Sequence, residues 1–307
     1  MVDIIIVNWN AGQQLASCID SIRKYGNGLV SKVIVVDNGS TDGSDSAIDD
    51  ADDVLLLRAG ENLGFGRACN LGARYADSKY LLFLNPDAEL MLNTLDEVVS
   101  FMEQSRSSKI GICGVQLIDE NNCGARSCSY SRTLHNMVAH SIGIDRVCPK
   151  LGPAMRTWAH NESRPVDQVI GAFYLVRQEL FNALNGFDER YFVYYEEVDF
   201  ALRARRAGWS SFFLASAQAF HLGGGTSSNV KANRLFYSIR SRLQFAFANF
   251  SYLEFLVIAA LSLFVEPLFR SFQSIVKLSF GDFINVWRAY CLVAKWLVSK
   301  LGLVESI

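Results

Sequence analysis

Several polar residues stand where apolar segments of this chain stop. Asp37 closes "KVIVVD" and opens the turn "NGSTDGS", while Asp87 follows "YLLFLNP", its backbone stiffened by Pro86. In a parallel α/β sheet, ligands bind beyond the carboxyl ends of the strands, so these two aspartates would aim their charges into one crevice with no lysine nearby. Each alone reads as an ordinary turn or N-cap, and the joint placement is what argues for a site. Glu196, Glu197 and Asp199 crowd the start of the helical pattern "EEVDFALRARR". The macrodipole accounts for one or two of them, and Asp199 is spaced for an i,i+4 pair with Arg203. Adjacent Glu196 and Glu197 point in different directions, which leaves one carboxylate over as a candidate general base. His221 precedes Gly223, Gly224 and Gly225, which permit close approach of the backbone to a ligand.

Positioning these groups requires a layered scaffold. Short β-branched runs read as strands: "DIIIVNW", "KVIVVD", "DVLLLR", "YLLFLN" and "IGICGVQL". Between them, Gln13 to Lys24, Gly64 to Tyr75 and Leu92 to Gln104 carry apolar residues at helical spacing. The alternation predicts an α/β domain with a mostly parallel sheet, its strands buried on both faces and flanked by helices. Residues 119 to 166, rich in Asn, Ser, Arg and Cys, predict irregular structure bordering a cleft. Regular signals return with "QVIGAFYLVR", a helix near Gln178 to Leu184, the turn "NGFDER", and a charged helix from about Glu196 to Ala207.

The 307 residues are half hydrophobic, enough for a large core, with mean hydropathy +0.15. A formal net charge of −2 hides an uneven distribution: residues 231–307 hold 9 Lys/Arg against 4 Asp/Glu, leaving 20 against 27 in the rest. The boundary near 230 divides an acidic body, 1–230, from a basic, apolar, helical extension, 231–307. Such a tail suits an anionic membrane surface and argues against nucleic acid as a partner. The run Phe255 to Val265 is shorter than the ~20 residues of a spanning helix, and Glu266-Pro267 is expected to end it. In the closing helix, Asp282 to Ser299, the polar residues Asn285, Arg288, Lys295 and Ser299 lie near one face. Peripheral attachment to a membrane surface is the expectation, with an oligomer interface as its alternative. Seven cysteines without a C-x-x-C pair predict neither zinc ribbon nor disulfide framework, hence a reduced cytoplasmic compartment. With Asp3 and a short apolar run, the N-terminus reads as a first strand rather than a signal peptide.

Taken in order, "IIIVNWN", "VVDNGSTDGS", "ENLGFGRACNLG", "FLNPDAEL", "GAFYLVRQELFNALNGFDERYFVYYEEVDFALRARRAGW" and "HLGGGTS" resemble the family 2 glycosyltransferases, in particular the bacterial rhamnosyltransferase-like branch that builds surface polysaccharides. The resemblance runs from Val2 to about Ser227 and implies a GT-A fold acting on a nucleotide-diphosphate sugar with a divalent metal, Mg²⁺ or Mn²⁺. It implies that Asp37 contacts the nucleotide base, with Asn8 and Asn10 lining that pocket and Gly64 and Asn70 bordering the donor. Asp87 would be the metal carboxylate of an Asp-x-Asp motif whose first position is here Asn85, and His221 a further metal ligand. Glu197 occupies the position of the usual base, one methylene longer than the family's aspartate, with Glu196 in reserve and Asp199 beside them on the substrate side.

The implied chemistry makes two electrostatic demands. A departing diphosphate gains charge, which a divalent cation held by one or two carboxylates neutralises. A hydroxyl acceptor must lose its proton, work for a carboxylate base. The donor expected by resemblance is dTDP-rhamnose, with a UDP-hexose as alternative, and a lipid-linked oligosaccharide acceptor would suit a membrane-bound tail. A dinucleotide-dependent oxidoreductase is a weak rival, because "ENLGFGRACN" has Cys69 at the third glycine position and does not follow the first strand. A non-catalytic binding module of the same fold is the other.

Overall fold

Val2–Asn8 (β1) is buried along its whole length, as an inner strand covered on both faces must be. Its one charged residue, Asp3, is fully buried and accepts hydrogen bonds from the Asp77 and Ser78 amides (2.7 and 2.8 Å) and from Ser78 Oγ (2.8 Å). The computed structural model describes residues 1–48, 53–223 and 230–300. They fall into two compact units, the first comprising Met1–Ser131, Ala154–Phe192 and the stretch from Glu196 to the end of the sheet, the second Arg132–Pro153, Val193–Tyr195 and the C-terminal helices.

In the first unit β1 is followed by Gln13–Tyr25 (α1), Val30–Asp37 (β2), Val54–Arg58 (β3), Phe65–Ala73 (α2), Tyr80–Leu84 (β4), Ala88–Leu90 (β5), Thr94–Glu103 (α3) and Ile110–Ile118 (β6). All but β5 match the sequence periodicity closely. β3, β2, β1 and β4 pair in parallel, in that order. The next neighbour, Phe173–Arg177 (the tenth strand, β10), runs antiparallel to both β4 and β6. Ser210–His221 (β11) then pairs in parallel with β6 and antiparallel with β5. The sheet is therefore mixed rather than mostly parallel: parallel on one side of β4, antiparallel where the long connection after β6 brings the chain back from the other direction.

Between β6 and β10 the expected irregular segment contains short elements. Cys128–Ser129 (β7) pairs with Gln168–Val169 (β9), and Arg164–Val166 (β8) pairs with β11. Leu134–Ser141 (α4) is closed by a Thr133/Asn136 capping box and lies in the second unit. Gln178–Ala183 (α5) and Glu196–Arg206 (α6) follow β10. Phe83, Phe181, Phe187 and Phe200 form a ring cluster with centroids 5.0–5.6 Å apart, packing α5, the 185–189 turn and α6 against β4.

The second unit also holds Lys231–Asn249 (α7), Tyr252–Ala260 (α8), Glu266–Val276 (α9) and Phe280–Lys300 (α10). Glu266-Pro267 does not end the apolar helix, contrary to expectation. α8 and α9 are joined through a π-helical turn, Leu261–Val265, into one helix, Tyr252–Val276, of 25 residues. Proline lacks an N–H and its ring crowds the carbonyl four residues back, and the widened turn before Pro267 relieves both problems.

Candidate active site

Asn8 and Asp37 are the last residues of β1 and β2 and sit opposite each other in the parallel register. Asn8 Nδ2 donates to Asp37 Oδ1 at 2.9 Å and reaches Ser44 Oγ at 2.8 Å and Ser40 Oγ at 3.1 Å. Asp37 Oδ2 accepts from the Ser40 amide. Asn10, at φ 53°, accepts from the Thr41 amide at 2.8 Å, and its own amide donates to Ser40 Oγ. The expected nucleotide-pocket residues Asn8, Asn10 and Asp37 thus form one network with the 40–44 turn. Among the described residues Asn8 Oδ1 is buried there without a hydrogen-bond partner, an arrangement natural in a site that a polar ligand completes.

Gly64 lies on a second loop tied to the first. Asn38 donates to Asn62 Oδ1 at 3.0 Å and accepts from the Leu63 amide at 2.8 Å, while Asn62 accepts from the Gly64 amide. Gly64 has φ +84°, and a Cβ there would stand 2.2 Å from the Phe192 carbonyl oxygen, which accepts the Phe65 amide at 2.7 Å. Only glycine permits that approach. Asn70, expected at the donor's border, exchanges hydrogen bonds with Phe187 N and O (both 2.9 Å) and donates to Glu189. It braces the 185–189 turn.

Asp87 follows β4 in a tight turn, with Asn85 N donating to Ala172 O and Ala88 N to Asn85 O, both at 3.0 Å. Antiparallel pairing sets His221 opposite Ala88, and the Leu222 amide donates to Asp87 O at 3.1 Å. These constraints bring His221 Nε2 to 3.4 Å from Asp87 Oδ1, with side-chain exposures of 13% and 11%. Gly224, Gly225 and the end of the "HLGGGTS" motif lie outside the described residues. Among the described residues Asp87 has no Lys or Arg ion-pair partner, so its charge is not already neutralised. A carboxylate and an imidazole, accessible on one edge, fit a divalent ion whose remaining ligands would be phosphate oxygens and water. Among the described residues no third His, Cys, Asp or Glu joins them.

Glu196, Glu197 and Asp199 open α6, directly after Tyr194 and Tyr195, whose φ values of 67° and 73° mark a sharp backbone reversal. The buried Asp199 pairs with Arg203 at 2.6 Å, and Arg203 also holds the Leu184 and Gly186 carbonyls. Asp199 is therefore engaged as a helix-to-turn strut. Glu196 packs over Gly66, and its charge, after burial, helps push the Cys69 thiol well above its usual pKa. Glu197 Oε1 is 3.4 Å from Gln168 Nε2; after burial, its charge is the next cause raising the Tyr174 hydroxyl. Gln168 is locked in turn, its oxygen accepting from Ser129 Oγ at 2.8 Å across the β7–β9 pair. Phe173 lies opposite Leu84, so β10 begins at the carboxyl end of β4, where the Asn85–Asp87 turn follows.

Sequence reasoning missed Asn38, Asn62, Gln168 and Ser129. The Asn-Gly after Asp37 was a signal for the first, but nothing local marks Gln168, whose partners are 39 and 29 residues away.

Residues 3–151 match the family model described as Glycosyl transferase family 2. The N-acetylglucosaminyl-diphospho-decaprenol L-rhamnosyltransferase of Mycobacterium tuberculosis is 29% identical over 260 residues, covering 76% of this chain and 80% of that protein. Rhamnosyltransferase WbbL of Escherichia coli is 29% identical over 171 residues, covering 52% and 60%. Among solved structures, the mannosyltransferase PcManGT from Pyrobaculum calidifontis, in complex with GDP-Man and Mn²⁺, aligns with TM-score 0.54 at 15% identity over all of this chain and 76% of that one. Staphylococcus aureus TarS 1–349 aligns with TM-score 0.52 at 12% identity, covering 97% and 91%. Both likenesses speak to the fold.

Proposed function

From a chain that is a family 2 glycosyltransferase of the rhamnosyltransferase-like kind, with a GT-A-like fold, we propose an inverting, metal-dependent enzyme that moves rhamnose from dTDP-rhamnose to a hydroxyl of a lipid-linked glycan. It would act in cell-surface polysaccharide synthesis, at the cytoplasmic face of the membrane, with 1–230 as the catalytic part and 231–307 as the membrane-contacting extension. The rhamnosyltransferase activity of the two bacterial relatives supports the sugar, and the decaprenyl-diphosphate-linked substrate named for the mycobacterial relative supports a polyprenyl diphosphate acceptor.

The observation that carries the metal-dependent reading is the convergence of Asp87 and His221 at the carboxyl edge of the sheet. They would hold Mg²⁺ or Mn²⁺, which when bound supplies Lewis-acid stabilisation to the departing diphosphate. Asp37, Asn8 and Asn10 bind the nucleotide, held in place by Ser40 and Ser44. Glu197 takes the proton of the acceptor hydroxyl as that oxygen bonds to the anomeric carbon and the bond from that carbon to the diphosphate oxygen breaks. Gln168 orients the Glu197 carboxylate. Glu196, facing α2, is the second choice for the base.

The test is a screen of nucleotide sugars for thermal stabilisation with and without Mn²⁺. A shift with dTDP-rhamnose that requires the metal supports the reading, a shift with a UDP-hexose alone moves the donor assignment, and a metal-independent shift removes the ion from the mechanism.

A further inference from the structure

The helix Tyr252–Val276 is inside out. Its buried positions include Ser262, Glu266, Ser271 and Ser274, whereas Leu253, Phe264, Leu268, Phe272, Ile275 and Val276 are 61–74% exposed. A helix packed on a water-soluble body shows the reverse arrangement. The polar side is built to face protein: Tyr290 Oη donates to the Ser262 carbonyl at 2.9 Å, and Glu266 is held between Arg242 and Arg270 within the same unit. The apolar side continues past the helix through Leu278 and Phe280, 93% and 75% exposed. Contiguous exposed apolar surface of this extent marks a contact with something apolar.

Charge distinguishes a bilayer from a second copy of the chain. Phe280 also forms part of a groove of about 680 Å³, with Phe283, Trp287, Arg288 and Lys295 in its wall. Neither Arg288 nor Lys295 has an ion-pair partner among the described residues. Aromatic rings beside unpaired cations, in a segment with 9 Lys/Arg against 4 Asp/Glu, complement an anionic, amphiphilic surface. In a two-fold dimer the same surface meets itself, so the cations would be set against like charges.

We propose that the second unit is a monotopic anchor: the apolar face of Tyr252–Val276 enters the hydrocarbon of an anionic bilayer, with the helix lying in the membrane plane and not crossing it. The inference deepens the membrane contact proposed above and rests on that reading for its partner, but not on the chemistry. Its length, about 37 Å at 1.5 Å per residue, would suffice to span. Yet it packs against α7, which carries Lys231, Arg234, Arg240 and Arg242 and lacks the composition to cross beside it. Insertion of this kind resists salt, unlike attachment by charge alone.

Full-length protein is mixed with phosphatidylcholine vesicles, with and without phosphatidylglycerol, and floated at low salt and at roughly 1 M salt, where the screening length is only about 3 Å. Binding should need phosphatidylglycerol for its full extent, survive high salt and yield to detergent. The triple variant Phe264→Glu/Leu268→Glu/Phe272→Glu should lose at least tenfold in vesicle binding. A Phe272→Trp variant, milder on folding, should show fluorescence quenched by chain-brominated lipids beyond the wild-type level. Complete release by salt, no added quenching, or a detergent-free dimer that ignores vesicles would overturn the proposal. Glu197→Gln should bind vesicles like wild type, so failure of the catalytic reading and failure of the anchor are separable.

Discussion

Gln168 Nε2 donates to Glu197 Oε1 at 3.4 Å, and the Gln168 oxygen accepts from Ser129 Oγ at 2.8 Å. In this orientation Gln168 presents an N–H to Glu197, the contact through which it would position a carboxylate base. Glu197→Gln should lower turnover by about 10² to 10⁴ while nucleotide-induced thermal stabilisation persists. Gln168→Leu should cost roughly tenfold in kcat, the worth of about 1.5 kcal/mol from one long bond to a charge. It should also move the acidic limb of the kcat–pH profile upward, a change that a merely structural residue would not produce. An unaltered profile in Gln168→Leu removes the positioning role.

Asp87 and His221 are expected to act together toward one ion. Chelation should abolish transfer, and Mn²⁺ should restore it. Asp87→Ala should cost about a thousandfold or more in rate, since the ion is worth several kcal/mol to the developing charge. His221→Ala should mainly raise the Mn²⁺ concentration needed. Metal titration of each variant separates the two effects, and full activity of Asp87→Ala in chelator would exclude the assignment.

Gly64→Ala places a methyl 2.2 Å from the Phe192 carbonyl oxygen in a backbone conformation of φ +84°. Roughly 2–3 kcal/mol of stability should be lost, read as a lower urea midpoint with an unchanged slope. Donor affinity should fall with it, because the loop is clasped by Asn38 and Asn62 to the nucleotide network. Gly28→Ala also sits at positive φ, but nothing lies within 4 Å of the added methyl, and its smaller effect isolates the close approach from the backbone strain.

Glu266 is buried between Arg242 and Arg270; although desolvation opposes ionisation, the two guanidinium groups hold its carboxyl below the usual value of 4.5. A carboxyl depressed in the folded state contributes stability that is whole above its unfolded pKa and is lost as pH falls through the folded one. Acid unfolding of the second unit should therefore begin below about pH 4.5. Glu266→Leu, which strands two cations, should cost about 3–5 kcal/mol near neutrality and remove this acid dependence. Circular dichroism against pH would show both.

The strand ends were legible because burial on both faces writes continuous apolar runs into the chain, and a run that stops at Asp37 or at Asn85-Pro86-Asp87 announces its edge. Helix starts were equally local: Glu196 to Asp199 mark α6 through the macrodipole alone. Local pattern does not report which strands meet. The antiparallel insertion of β10, the pairing that carries His221 to Asp87, and the contact of Gln168 with Glu197 all join residues far apart in sequence and exist only once the sheet closes. Nor does local pattern show that Asn70 holds the Phe187 backbone or that Arg203, paired with Asp199, reaches the Leu184 and Gly186 carbonyls, since a polar side chain's partners depend on whichever groups the fold brings beside it. The apolar tail shows the same limit most plainly. Its composition announced a contact with membrane or protein, but composition has no direction, and only packing against α7 and α10 decided that the serines and Glu266 turn inward while Phe264, Leu268 and Phe272 face out.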